Sequence, residues 1–359
     1  MRGKKWILAA GAIAAAAALI LTPTAIYEGG GGASCARCHE IRGAYDEWMV
    51  SAHRNVECSD CHGGVLTADI GFHLSNLRRL IRHWRGEPAG RVLLAGREAV
   101  ARMMSRCRDC HQREFADWQA GPHSVTYAAI FLDKEHNTKR RLMDDCLRCH
   151  GMHFEGGIED LVEPLDTSGP WRLKAPRLED EPAIPCLVCH EIHRRGEPRP
   201  KRDRQVRDTR GEPVMPASLA FFDRRTQVHL AVGAMPVPQV REGERRVRMS
   251  PDPRQALCYQ CHAPRAEMEA GSGDDRTCRG IHEGIGCLGC HAGHTMETRA
   301  SCANCHPRFS NCGMGLEKLN ELVRAPGSRF DIHNLKCADC HPKGVPPRRW
   351  KSLAERAGD

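Results

Sequence analysis

Nine copies of Cys-x-x-Cys-His punctuate this chain of 359 residues. The paired thiols are Cys35 and Cys38, Cys58 and Cys61, Cys107 and Cys110, Cys146 and Cys149, Cys186 and Cys189, Cys258 and Cys261, Cys287 and Cys290, Cys302 and Cys305, and Cys337 and Cys340. The imidazoles that follow them are His39, His62, His111, His150, His190, His262, His291, His306 and His341. Two thiols at this spacing can bind zinc, cycle through a disulfide, or add across the two vinyl groups of haem. Covalent haem attachment is the use that calls for a histidine directly after the second cysteine, because that ring sits under the iron as proximal ligand. Zinc ribbons do not need the histidine in every copy, and a redox pair usually occurs once. All nine copies carry it, and they use 18 of the 20 cysteines. The pattern predicts nine covalent haem c groups and no other metal.

The far face of each iron decides the chemistry. A second protein ligand makes an electron carrier, whereas an open face makes a site for a small molecule. Against nine irons stand 11 histidines outside the motifs. His153, His193 and His294 each follow a motif as C-x-x-C-H-x-x-H, too close to reach the far face of their own haem, so they are expected to serve a neighbour. His53, His282 and His333 each precede a motif by four or five residues. His123 closes a repeat described below, and His73 lies on the apolar side of an arginine-rich helix. For His83, His136 and His229 a solvent or packing role reads as well as a ligand role. Met49, Met103, Met152 and Met235 are alternative ligands that would raise a haem's potential, with packing the simpler reading. Because supply exceeds demand, most or all irons are expected to be bis-His and low in potential. Cys278 and Cys312 fit no motif, and in an oxidising compartment they are candidates for a disulfide, with two buried thiols as the alternative.

Little protein is available to position these groups. Beyond the first 27 residues there are about 37 residues per haem, and only 5% of the chain is aromatic, so porphyrins are expected to form much of the core that apolar side chains form elsewhere. The expected fold is mainly α with much coil, organised around stacked haems, with few or no strands. The formal charge is +8. Each bis-His haem with both propionates ionised adds −1 when ferric and −2 when ferrous, so the holoprotein carries about −1 oxidised and about −10 reduced. The basic excess then reads as counter-charge for propionates, and nucleic acid is not an expected partner.

Residues 1–27 read as a membrane anchor or a signal segment. Arg2, Lys4 and Lys5 precede an apolar run from Trp6 to Leu21, intermediate between a cleaved leader and a spanning helix. Retention is the favoured reading, and either outcome exports the remainder to the periplasmic side of the inner membrane. Residues 28–193 form a five-haem region, and residues 258–359 a four-haem region. Between them, residues 194–257 are a basic, proline-rich, haem-free insert or linker with 15 Lys and Arg and eight Pro. Within it, Ser218–Val232 is apolar enough for a strand pair or a short helix. Ile70, Leu74, Leu77, Ile81 and Trp84 recur at helical spacing with Arg78, Arg79, Arg82 and Arg85 on the other side. That helix packs on haems or lies on anionic lipid. Residues 35–53 and 107–123 repeat one pattern: a motif, an acidic residue before Trp48 or Trp118, and a histidine five residues later. The Trp is expected to pack on a porphyrin.

On these residues the chain resembles the multihaem c-type cytochromes of periplasmic and extracellular respiration. The apolar helix followed by C-x-x-C-H, Tyr45, Trp48, Ser51-x-His53 and Cys58–His62 resembles the membrane-anchored quinol dehydrogenases that feed periplasmic nitrate and nitrite reductases. The Trp repeat, CHGMH, CHEIH and IHEGIGCLGCH resemble the superfamily of hydroxylamine oxidoreductase, the octahaem tetrathionate and nitrite reductases and the tetrahaem carrier of nitrifiers. The resemblance implies haems stacked in parallel and perpendicular pairs. There are departures. Such quinol dehydrogenases carry fewer haems and often place Met where this chain has Ile41. No Cys-x-x-Cys-Lys is present, and none of Tyr27, Tyr45, Tyr127 and Tyr259 has the setting of a haem-linked tyrosine.

The expected function is electron transfer between a membrane donor, possibly a quinol, and a periplasmic or extracellular acceptor, with redox proteins as partners. Two alternatives stand beside it. One is a multielectron oxidoreductase of nitrite, hydroxylamine or tetrathionate at one open iron. The other is a homo-oligomeric or complex subunit of an extracellular conductor.

Overall fold

A Cys-x-x-Cys-His segment offers little for a long helix, and the fold is accordingly built from short ones. The computed structural model describes residues 32–64, 80–86, 96–193, 218–269, 282–295, 314–324, 328–330 and 335–344, together with residues 11, 13–15, 17, 18, 21, 22, 24, 25, 30, 77, 78, 280 and 333. The chain divides into two units, residues 1–117 with 123–231 and residues 118–122 with 232–359. By sequence, motifs one to five fall in the first unit and six to nine in the second.

In the first unit, α1 (His39–Met49) starts at the first motif histidine and α2 (Cys58–His62) is the second motif itself. Helix α3 (Arg97–Cys110) ends in the third motif, and α4 (Gln112–Gln119) follows it. Helices α5 (Tyr127–Phe131) and α6 (Lys134–Lys139) are each started by a side-chain cap. Thr126 Oγ1 accepts from the Ala129 N–H at 3.2 Å, and Asp133 Oδ1 accepts from Glu135 N–H at 2.9 Å. Such caps satisfy amides that the first helical turn leaves open. Helix α7 (Leu147–His150) is the fourth motif, and α8 (Ile158–Leu161) leads into β1 (Val162–Glu163), which pairs antiparallel with β2 (Arg172–Leu173).

The porphyrin-dominated core expected from composition is not the whole of it. Tyr127, Phe131, Leu147, Ile158, Leu161, Val162, Leu173 and Leu178 form an ordinary apolar core, each at most 5% exposed. In sequence it lies between motifs three and five and brackets motif four, whose Cys146 packs against it. The Asn137 amide donates to the Phe131 carbonyl at 2.7 Å, which ties α6 to the end of α5.

The described end of the haem-free stretch is structured. Strands β3 (Ala220–Asp223) and β4 (Val228–Ala231) form a hairpin in register Phe221 to Leu230 and Phe222 to His229, the strand-pair form of the Ser218–Val232 reading. Its edge is tied to motif five, because Ala220 N–H donates to Cys189 O at 3.1 Å and Glu191 N–H to Ser218 O at 2.8 Å. Residues 194–217 lie outside the described residues.

The second unit carries β5 (Arg241–Glu242) paired with β6 (Arg245–Arg246), then α9 (Arg254–Cys258), α10 (Ala266–Glu269), α11 (Cys287–Cys290), α12 (Leu316–Arg324) and α13 (Cys337–Cys340). Three of these helices contain or end in motif cysteines. The described residues between 11 and 25 are helical. Among the described residues, however, no helix is long and apolar enough to cross a membrane, so the anchor expected over residues 1–27 finds no support there.

Tyr127 reports on the apolar core. It is 1% exposed, and burial, opposed by the nearby Arg97, pushes its phenol up to about 12 from 10.0. An unfolded chain gives up that proton near pH 10 and the fold holds it, so stability falls as pH rises from 10 to about 12. Tyr127→Phe is expected to lessen that alkaline loss by about 2–3 kcal/mol. Denaturant titrations of both proteins at pH 9 and pH 12 measure the difference.

Candidate haem-binding sites

The motif works as one turn of helix. The histidine N–H donates to the carbonyl of the first cysteine at 2.8 Å in His111, 3.0 Å in His190, 2.9 Å in His262, 2.8 Å in His291 and 2.9 Å in His341. That bond puts residues three and four apart on one side, so both thiols and the imidazole address the same porphyrin. In two motifs an aspartate inside the motif locks the turn. Asp60 Oδ2 accepts from Glu57 N–H at 3.1 Å, and Asp339 Oδ2 accepts from Lys336 N–H at 2.7 Å. The 16 described cysteines form no disulfide with one another. Among the described residues, no three Cys, His, Asp or Glu side chains converge into a chelating cluster, the arrangement a zinc ribbon needs.

Several distal candidates are positioned by bonds that the sequence did not reveal. The Trp48 indole N–H donates to Val56 O at 3.1 Å, closing the loop that carries His53. Within the loop, His53 N–H donates to Ser51 Oγ at 3.0 Å, and Ser51 is 2% exposed. The Trp of the repeat thus acts as a clamp through its polar edge. Glu283, next to His282, accepts from the Arg248 N–H at 3.1 Å and pairs with the Arg245 guanidinium. Those two contacts hold its carboxyl below the usual range and pin the loop ahead of motif seven.

The structure brings motif and non-motif imidazoles together. The ring centroids are 6.0 Å apart for His62 and His193, 6.1 Å for His111 and His53, 6.0 Å for His291 and His333, and 5.1 Å for His39 and His83. Each of these pairs joins one motif ring to one ring from elsewhere. An iron between two imidazoles, with metal–nitrogen bonds of about 2 Å, places the ring centroids roughly 6 Å apart. Three pairs match that span and the fourth is tighter. Electrostatics agree, since only neutral imidazole ligates a metal. Burial, then the neighbouring His111, holds His53 below the ordinary imidazole range. Burial, then His53, does the same for His193. Beside His83, Leu80 and Trp84 are 42% and 74% exposed, apolar surface that a porphyrin held there would cover.

His153 is buried, stacks on Phe222 at 4.1 Å, and its Nε2 has no hydrogen-bond partner. Burial first, then His229, lowers it to about 4. A neutral ring with an unused nitrogen is what an axial ligand requires. His229 instead donates from Nε2 to Leu187 O at 2.7 Å, which commits that nitrogen to the protein. His136 is exposed on α6, and His123, His282 and His294 are half-buried. Met152 and Met235 are packed in the interior. Motif eight (Cys302, Cys305 and His306), His73, and the disulfide candidates Cys278 and Cys312 lie outside the described residues. Where they are described, the residues fit covalent haem c.

Two stretches of the chain, residues 106–164 and 231–292, match the family model described as cytochrome c554 and c-prime. They contain motifs three, four, six and seven. No curated protein and no solved structure matches the chain. The family match supports a c-type cytochrome that carries covalent haem c.

Gly32 shows how tightly the first two motifs are set. Its φ is +82°, and a Cβ there would lie 2.5 Å from Cys58 Sγ. Gly32→Ala adds left-handed backbone strain and displaces a thiol that must reach a vinyl group. The variant is expected to lose one thioether or one haem per chain, read by intact mass and by alkaline haemochrome absorbance.

Proposed function

We propose that this chain is an electron-transfer cytochrome, with nine haem c groups relaying electrons between a membrane donor and a periplasmic or extracellular acceptor. The observation that carries this reading is the set of imidazole pairs at the span of one iron. When bound, haem c supplies one-electron chemistry at the iron. The protein's part is to close both axial positions, so that small molecules are excluded, and to hold the rings neutral and oriented before haem arrives. A ligand set that does not change on reduction also keeps reorganisation small, which suits a carrier.

Export is part of the proposal. It is supported by the basic start and apolar run of residues 1–27 and by the nine Cys-x-x-Cys-His motifs, because covalent haem attachment belongs to the far side of the membrane. Redox proteins, and a quinol where the leader stays in the membrane, are the partners this reading requires. The acidic charge of the reduced holoprotein, about −10, favours basic docking surfaces on them.

Low-temperature EPR with magnetic circular dichroism on the oxidised holoprotein tests the reading. The expected result is nine haems per chain, all low-spin with bis-His signatures. A high-spin iron that shifts on addition of nitrite, hydroxylamine or cyanide would overturn it and make multielectron oxidoreduction at an open iron the function.

A further inference from the structure

The haem reading above leaves open which histidine closes which iron, and the inference here rests on that reading. We propose that motifs one, two, three and five form one interlocked cluster. Three of its four irons are closed by His39 with His83, His62 with His193, and His111 with His53.

The ring pairs supply the ligand assignment. The grouping of the motifs comes from separate contacts. Gly32, three residues before Cys35, lies against Cys58 Sγ, so motifs one and two are neighbours. Helix α2, which is motif two, packs on α3, which ends in motif three, and Cys61 lies beside Cys107 and Cys110. Motif five joins the cluster through His193, whose ring centroid lies 6.0 Å from that of His62, and the Cys107 and Cys186 thiols are near enough to interact.

The ligands are exchanged among these same segments. His193 lies three residues beyond His190, so the stretch that supplies the proximal ring of haem five also closes iron two. His53 lies between motifs one and two and closes iron three. The packing of α2 on α3 places irons two and three side by side. The strand β3 tie to Cys189 and Glu191 holds the segment from which His193 projects. Neither haem two nor haem three is complete until a segment from elsewhere in the cluster is in place.

The test uses the holoprotein. His193→Met replaces a ring with a thioether and is expected to turn one bis-His haem into a His/Met haem, with a near-infrared magnetic circular dichroism signature and a raised potential for that one haem. His62→Met is expected to do the same. In the double variant the two changes fall on a single haem, which becomes bis-Met while the others stay bis-His. Two separate His/Met haems in the double variant would overturn the assignment, as would an unchanged His193→Met spectrum. Should His62→Met not mature, His193→Ala is compared with the same change in a chain lacking the second attachment (Cys58→Ala with Cys61→Ala). The high-spin iron seen in the first must vanish in the second, and its persistence overturns the assignment. Failure of the electron-carrier reading shows differently, as a high-spin, ligand-binding iron in the unmodified protein.

Discussion

An iron held by Cys-x-x-Cys-His has one face specified by five consecutive residues and one face specified by nothing local. The rest of this structure depends on that asymmetry. The near face needs one helical turn and a hydrogen bond from histidine to the first cysteine, which motifs three, five, six, seven and nine share. The far face needs an imidazole delivered from elsewhere, at a span of about 6 Å from the first ring. Loops that look irregular are therefore the parts under the tightest geometric demand, and the bonds of Trp48, Ser51 and Glu283 are spent on them.

The same asymmetry explains why such short helices suffice. A turn of four or five residues has almost no stability of its own, because helix nucleation costs more than one bond returns. Here α2, α7, α11 and α13 are each one motif long. On the haem reading, two thioethers and an axial bond per haem would replace the packing that otherwise holds a helix in place. Between residues 127 and 183, around motif four, the chain returns to the usual solution, with capped helices, a strand pair and a buried apolar cluster.

Burial serves ligation as well as packing. A buried imidazole resists protonation because charge is costly away from water, and a neutral ring is the form that binds iron. His53, His153 and His193 are all shifted that way, with burial as the leading cause. His229 has the same type of ring in the same neighbourhood, yet its Nε2 bonds a backbone carbonyl. The sequence ranked His153 above His229, and the fold separates them by which nitrogen it leaves unused.

The sequence alone pointed to covalent haem c, which the family match supports, and marked the motif cysteines and histidines expected to hold it, because those features are written within five residues and need no folding to be read. It also marked His53, His193 and His333 as distal candidates through their place beside a motif. The strand pair over Ser218–Val232 was legible as one of two forms, since apolar residues flank a polar turn. What only the tertiary structure decided is non-local. His83 looked no better than His136 until the fold set it against His39 and left His136 exposed on α6. The approach of motif three to motif five, 79 residues further along from Cys107 to Cys186, has no local signal at all. Loop closure brings such segments together at a cost that grows only slowly with length. Spacing along the chain therefore says which residues can serve a haem, and only the folded chain says which haem they serve.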